Sequence, residues 1–325
     1  MTMHVLWMSL VALCLAAAPK AAAAENHALL IGVSSIAALP SRLWLRGPDN
    51  DVAAVRQALL ARGFKPERIT VLAERAAGSA ARPTRSAIDQ AFAALLAQVQ
   101  PGDGVVLHLA GHGVQVPQQP TSSRHGKPPP WPEPDGLDEV FLTADTQPWS
   151  SVEGRLPNAL LDDEIGEWMD ALVDRGATVW AVFDTCHAAG MSRAGAQPGA
   201  GPRWRSVGAG ELGVPARLPL PATASTVVPR LGPRPGHATA PRMDGRTLLF
   251  AARSHEGATE EWLPKGAGLA QARMLGVFSH AVAQALSQGI GQARGMREAL
   301  QRRYAQEGRL APVPQVLGEA ALPGL

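Results

Sequence analysis

Two short apolar runs limit the fold of this chain more than any other feature. Residues 105–110 and 178–183 are apolar at almost every position, so neither face is left for water, and strands of that kind belong in a sheet covered on both sides. Further runs at 28–33, 69–72, 140–142 and 247–252 read the same way. Between them, helical spacing of apolar residues marks 49–60, 84–99, 162–173, 277–286 and 296–304. Thr84 after Pro83, and Asp162, Asp163 and Glu164 after Leu161, are good helix starts. Strands alternating with helices predict an α/β sandwich around a mostly parallel sheet of about six strands.

With 325 residues, 46% of them hydrophobic, the chain can build one large core. A formal charge of +2 and the lack of any dense Lys/Arg run exclude a nucleic-acid surface as the main business of the molecule. The N-terminal stretch has an apolar run from Val5 to Ala18, then Pro19-Lys20 and four alanines. That order predicts a secretory signal over residues 1–24 and an exported, periplasmic or secreted protein. The run is shorter than the roughly 20 residues a spanning helix needs, and no later segment predicts a membrane span. Cleavage would remove Cys14 and leave Cys186 as the single thiol, which cannot pair internally and is flagged as reactive.

Two stretches break the alternation. Residues 117–134 are rich in Pro, Ser and Gln and read as a surface insertion. Residues 191–245 are a Gly/Pro/Ala/Arg segment without periodicity, expected to be exposed and unable to pack a core. It divides the expected domain into a first region, 25–190, and a second, 246–325, of one sheet. Gly208-Ala209-Gly210-Glu211-Leu212-Gly213 inside it matches the dinucleotide fingerprint only formally, since no strand-to-helix context surrounds it.

The chemistry concentrates where apolar strands end. The run 105–110 leads into Gly111-His112-Gly113, and the run 178–183 into Asp184-Thr185-Cys186-His187. In a parallel sheet, ligands bind beyond the carboxyl ends of the strands, so His112 and Cys186 can face one crevice. An imidazole beside a thiol supplies the base that makes a thiolate nucleophile. The N–H groups of Gly113 and Cys186 are the expected oxyanion donors. His108, His187, His255 and His280 could in principle join Cys186 around zinc, but neither C-x-x-C nor H-E-x-x-H spacing occurs. No metal and no cofactor is called for.

Several motifs now stand in a recognisable order: 28–33, Leu45-Arg46-Gly47 with Asn50-Asp51, Ala110-Gly111-His112-Gly113, 135–139, Leu161-Asp162-Asp163-Glu164, and Asp184-Thr185-Cys186-His187. Ala251-Ala252-Arg253, Gly276-Val277-Phe278-Ser279 and Pro314-Gln315 follow. The set resembles metacaspases, in particular the bacterial orthocaspase type, within the caspase-like clan. The resemblance implies a caspase-like α/β/α sandwich and a cysteine endopeptidase with a His112–Cys186 dyad. It further implies peptide or protein substrates with Arg or Lys at P1, bound by Asp51 and Asp184, with self-processing in the 191–245 linker. His112 and Cys186 are 74 residues apart, against about 50 in caspases, and the 117–134 insertion accounts for the excess. Ala110 replaces the family's Ser before Gly-His-Gly, and Ala188-Ala189-Gly190 its Ser-Gly after Cys-His.

Asp51 on its own reads as a first-turn helix acid; with the resemblance it is assigned to the substrate pocket. Asp162 and Asp163 match acids that bind calcium in some family members, but Arg193 stands where a further acid is expected, so helix capping is the reading adopted. Two other functions are compatible with the residues: an inactive caspase-like binding or adaptor module, and a cysteine amidase of different specificity.

Overall fold

The computed structural model describes residues 24–118, 137–186, 202–215, 244–253, 256–268 and 270–324. The chain begins with strand β1 (Asn26–Gly32), helix α1 (Pro48–Ala61), strand β2 (Ile69–Ala73), helix α2 (Arg85–Gln98) and strand β3 (Gly104–Ala110). A small antiparallel sheet follows, made of β4 (Gly113–Pro117), β5 (Leu137–Phe141) and β6 (Leu160–Leu161). Helix α3 (Asp162–Asp174) leads to β7 (Thr178–Asp184). Beyond it come β8 (Arg203–Trp204), β9 (Arg246–Phe250), β10 (Thr259–Leu263), β11 (Arg273–Gly276), α4 (Val277–Ser287), α5 (Ala293–Gln306) and β12 (Gln315–Gly318).

The central sheet has six strands in the order β12-β9-β7-β3-β1-β2, all parallel except β12. Alternate residues of each buried strand feed two separate cores, as a period of two requires. Leu29, Ile31, Leu107, Leu109, Val179 and Phe183 pack with Ile88 and Phe92 of α2 and Met169 of α3. Leu30, Val106, Trp180 and Val182 pack on the other face with Val52 and Val55 of α1, Phe278 and Val282 of α4, and Met296 and Leu300 of α5. Helices on both faces explain why β3 and β7 carry no solvent-facing residues. Helix starts are local chemistry: the Thr84 hydroxyl accepts the Ala87 N–H at 3.3 Å, and Pro48 begins α1 where its missing N–H costs nothing.

The register decides where the site can be. Gly32 lies beside Ala110 and Ala110 beside Asp184, so β1, β3 and β7 end level. His112 and Cys186, each two residues further on, therefore leave the sheet at the same height.

Two expectations need correction. The run at 140–142 was expected in the main sheet, but its strand β5 pairs with β4 and β6, and the sixth main strand is β12, antiparallel to β9. A short apolar run states that a strand is buried, not which neighbours bury it. The 191–245 segment was expected to be exposed; yet residues 202–215 are packed, with Arg205 completely buried and Val207, Leu212 and Val214 in the core. Averaging composition over the segment hides a few apolar residues that sit close together. The expected signal, most of the 117–134 insertion, His187, His255, Arg193, Arg217, Arg230, Arg234 and Arg242 lie outside the described residues. Among the described residues no helix is long and apolar enough to cross a membrane.

Candidate active site

His112 and Cys186 lie at the carboxyl ends of β3 and β7, both buried. The His112 Nε2–H donates to the Leu43 carbonyl at 2.6 Å. A carbonyl only accepts, so in the neutral ring Nδ1 is the proton-free nitrogen; it has no hydrogen-bond partner among the described groups. The Cys186 Sγ accepts the Ala258 N–H and lies 3.2 Å from the Ala258 carbonyl. No hydrogen bond joins His112 to Cys186. Gly113 must be glycine here, because a Cβ would stand 2.7 Å from Thr185 Oγ1.

Between the two side chains runs the chain itself. Trp204 pairs with Thr259 and Arg203 with Glu260, so β8 is an antiparallel strand added to β10. The Arg205 N–H donates to the Ala258 carbonyl at 2.9 Å, and the Arg205 carbonyl accepts the Gly113 N–H at 3.1 Å. The Cys186 N–H, the second expected oxyanion donor, makes no hydrogen bond to that carbonyl. Ser206 then bridges to Gly113.

The Arg205 guanidinium fills a pocket of three fully buried carboxylates. Its Nη2 is ion-paired with Asp51 and lies 3.7 Å from Glu260. Its Nη1 is 3.2 Å from the Asp184 carboxylate and donates to the Asp184 carbonyl at 3.0 Å. The two acids expected from the sequence thus meet in one pocket, across 133 residues of chain (184 − 51). Each acid is also held by backbone. Asp51 accepts the Gly276 N–H at 2.8 Å, and Asp184 the Ser279 N–H at 2.9 Å, in the first turn of α4. Glu260 accepts the N–H groups of Arg46 and Gly47 at the start of α1, at 2.9 and 2.8 Å. Two helix N-termini therefore support the negative charge. Gly47 and Gly276 form walls of the pocket: a Cβ on them would stand 2.6 Å from Arg205 Nη2 and 2.8 Å from Arg205 Cζ.

Residues 26–193 match the family model "Metacaspase, peptidase C14 domain". The chain belongs to the metacaspase family. It is 34% identical to Metacaspase-1 of Lodderomyces elongisporus over 163 residues, 50% of this chain and 33% of that protein. Metacaspase-1 of Schizosaccharomyces pombe is 32% identical over 51% of this chain and 34% of its own. The matched region thus spans about a third of the length of these curated metacaspases. A crystal structure of protein GSU0716 from Geobacter sulfurreducens superposes with a TM-score of 0.51 at 18% identity, over 92% of this chain and 94% of that one, which bears on the fold alone.

For a metacaspase-family site, the protonation states here are those of a closed pocket. Burial pushes the Cys186 thiol up to about 12, with the Ala258 N–H and the nearby Arg205 backbone opposing the shift. Burial likewise pushes the His112 imidazole down to about 4, with the Leu43 carbonyl and the nearby Arg205 backbone opposing the shift. Asp51 is raised to about 7 by burial, with Arg205 opposing and Asp184 adding to the shift. For Arg205 itself burial works downward, but Asp184, Asp51 and Glu260 outweigh it and hold the guanidinium charged. Thiol and imidazole are both neutral at pH 7, so a thiolate requires the site to open.

Five further residues, expected or missed, have clear places. His108 packs under α4, where its Nε2 meets Ser279 Oγ at 2.8 Å. Asp162 and Asp163 lie in the first turn of α3. Glu260 was not legible: Thr259-Glu260-Glu261 reads as a solvated charge cluster. Arg205 stood among eight arginines with nothing to single it out.

Acid should destabilise the fold. His108 is pushed to about 3 and His112 to about 4, both by burial, while the unfolded residues titrate near 6.5. Their depressed values give stability that is complete above pH 6.5 and declines as pH falls towards 4 and 3. Asp51 acts with the opposite sign, contributing less as pH rises from its ordinary 3.8 through about 7. Two histidines outweigh one acid below pH 6. His108→Gln should remove one share, about 2 kcal/mol of the loss between pH 6.5 and 5. Urea unfolding at pH 7.5 and 5 checks this; equal losses in wild type and variant would refute it.

Proposed function

We propose that this chain is a cysteine endopeptidase that cleaves after Arg, and after Lys less well, and that the bond it first meets is its own Arg205–Ser206. The observation carrying the proposal is Arg205: its side chain sits among Asp51, Asp184 and Glu260 while its carbonyl faces the Gly113 N–H beside Cys186. A planar guanidinium offers separate donors to separate carboxylates, which a single ammonium cannot match.

The steps follow from the atoms present. As the site opens, His112 Nδ1 takes the thiol proton and Cys186 Sγ attacks the carbonyl carbon of residue P1. The carbonyl oxygen gains the negative charge, next to the Gly113 N–H. The intermediate collapses by breaking the C–N bond, and His112 returns the proton to the departing amine. Water then attacks the thioester, giving the P1 carboxylate and the free thiol. For the chain's own bond, the amine is that of Ser206. The Val5 to Ala24 pattern supports export of the enzyme as part of this reading.

A fluorogenic panel with Arg, Lys or Asp at P1, with and without calcium, tests the proposal. Arg should lead, Lys should follow and Asp should give no signal. Asp184→Ala should lower kcat/KM on Arg peptides by about 2–3 kcal/mol, the scale of a hydrogen bond to a charged group. A preference for Asp at P1 would discard the assignment.

A further inference from the structure

Residues 203–206 lie across the site as a peptide lies in a groove, an extended strand whose backbone pairs with a sheet edge and whose alternate side chains meet pockets. With Arg205 at P1, the residue before it, Trp204, is P2. Its ring covers Gly257. A Cβ on Gly257 would stand 2.8 Å from Trp204 Cζ3, closer than non-bonded carbons approach, and 3.5 Å from Cys186 Sγ. The ring can occupy that spot because residue 257 has no side chain. The same surface is next to Ala258, whose N–H and carbonyl hold the Cys186 sulfur. One residue further out, Arg203 Nη1 donates to the Trp44 carbonyl at 2.7 Å.

We propose that Gly257 is the floor of a P2 subsite for aromatic side chains, so that substrates are selected as aromatic–Arg pairs. This rests on reading Arg205 as P1. The ring buries apolar area in a slot that Ala or Gly at P2 leaves empty, and it covers the approach to Cys186 Sγ from water. Both effects favour a flat, wide side chain over a small one. Arg203 on the Trp44 carbonyl adds a place for a basic residue at P3.

Two arms test the subsite. In the first, full-length wild type, Trp204→Phe and Trp204→Ala are followed by intact mass for the fragment ending at Arg205. Phe should retain the rate, and Ala should slow it about tenfold or more, the scale on which burying a ring exceeds burying a methyl. In the second, acetyl-Arg-X-Arg coumarin amides with X as Trp, Phe, Leu or Ala are given to wild type and to Gly257→Ala. The Gly257 backbone has no positive φ, so alanine fits its conformation and places a methyl group on the floor. Wild type should prefer Trp and Phe by about tenfold in kcat/KM. Gly257→Ala should lose that preference, with kcat/KM falling about tenfold more on the Trp and Phe peptides than on the Ala peptide. A flat profile across X, or an equal loss on all four peptides in Gly257→Ala, would overturn the subsite and leave Arg at P1 standing. If no Arg peptide is cut and the chain leaves residue 205 uncut, the Arg reading fails, and the subsite with it.

Discussion

Cys186→Ala is expected to abolish peptide hydrolysis and to leave the Arg205–Ser206 bond intact indefinitely. On the proposed reading, the mutation removes the sulfur that forms the acyl-enzyme. In enzymes built on a nucleophile and a base, removing the nucleophile costs on the order of 10⁶ in kcat, so residual turnover should be unmeasurable. His112→Ala should approach the same result, because a thiol pushed up to about 12 has no proton acceptor without it. The check is intact mass of purified wild type and Cys186→Ala after parallel incubation. A fragment pair ending at Arg205 and beginning at Ser206 should come from wild type alone. Identical fragments from both proteins would show that another protease makes the cut and would remove the main support for a self-directed site. The fold should be unchanged, since Cys186 is a small side chain at the end of β7 and alanine keeps its backbone bonds.

Arg205→Ala should have the second large effect, in two directions at once. Removing one partner of a buried ion cluster leaves unpaired charge, a loss of about 3–5 kcal/mol. Here Asp51, Asp184 and Glu260 would all face an empty pocket. Unfolding in urea should therefore need less denaturant. In exchange, the pocket is vacant, and Arg peptides added from outside should be cut without the lag expected of wild type, whose Arg205 must first leave the pocket. An amidinium such as benzamidine should raise the melting temperature of Arg205→Ala far more than that of wild type, since only the variant has room for it. Unchanged stability with unchanged lag would mean that Arg205 neither supports the fold nor blocks the pocket. Arg205→Lys separates charge from shape: it restores one positive charge but cannot serve Asp51 and Asp184 with two separate nitrogens.

How far each feature could be read before any coordinates depends on how local its cause is. The strands at 28–33, 69–72, 105–110 and 178–183 and all five helices were legible because their signals lie within a few residues: apolar periodicity, Pro83-Thr84, and the acids after Leu161. That His112 and Cys186 leave the sheet at one height was legible because each follows an apolar run that ends abruptly, and because a parallel sheet sends strand ends to one side. The motif order then pointed to the family that the comparison with residues 26–193 shows.

Pairings between distant segments were not legible. Nothing in Gln315–Gly318 says that it lies antiparallel beside β9, or in Leu137–Phe141 that it leaves the main sheet. The sharpest case is Arg205. Its segment is rich in Pro, Gly and Arg, and composition predicts exposure. Its burial depends on acids at positions 51, 184 and 260, on the N-termini of α1 and α4, and on two glycines whose lack of a Cβ makes room. None of these lies within eighteen residues of it, and only Asp184 lies within fifty. A charged side chain can be buried only where countercharge is already assembled, and that assembly exists only once folding has brought α1, β7, β10 and α4 together. Local patterning thus determined the elements and the places of His112 and Cys186 at the strand ends, whereas the pocket, and the residue of the chain's own that fills it, exist only in the folded molecule.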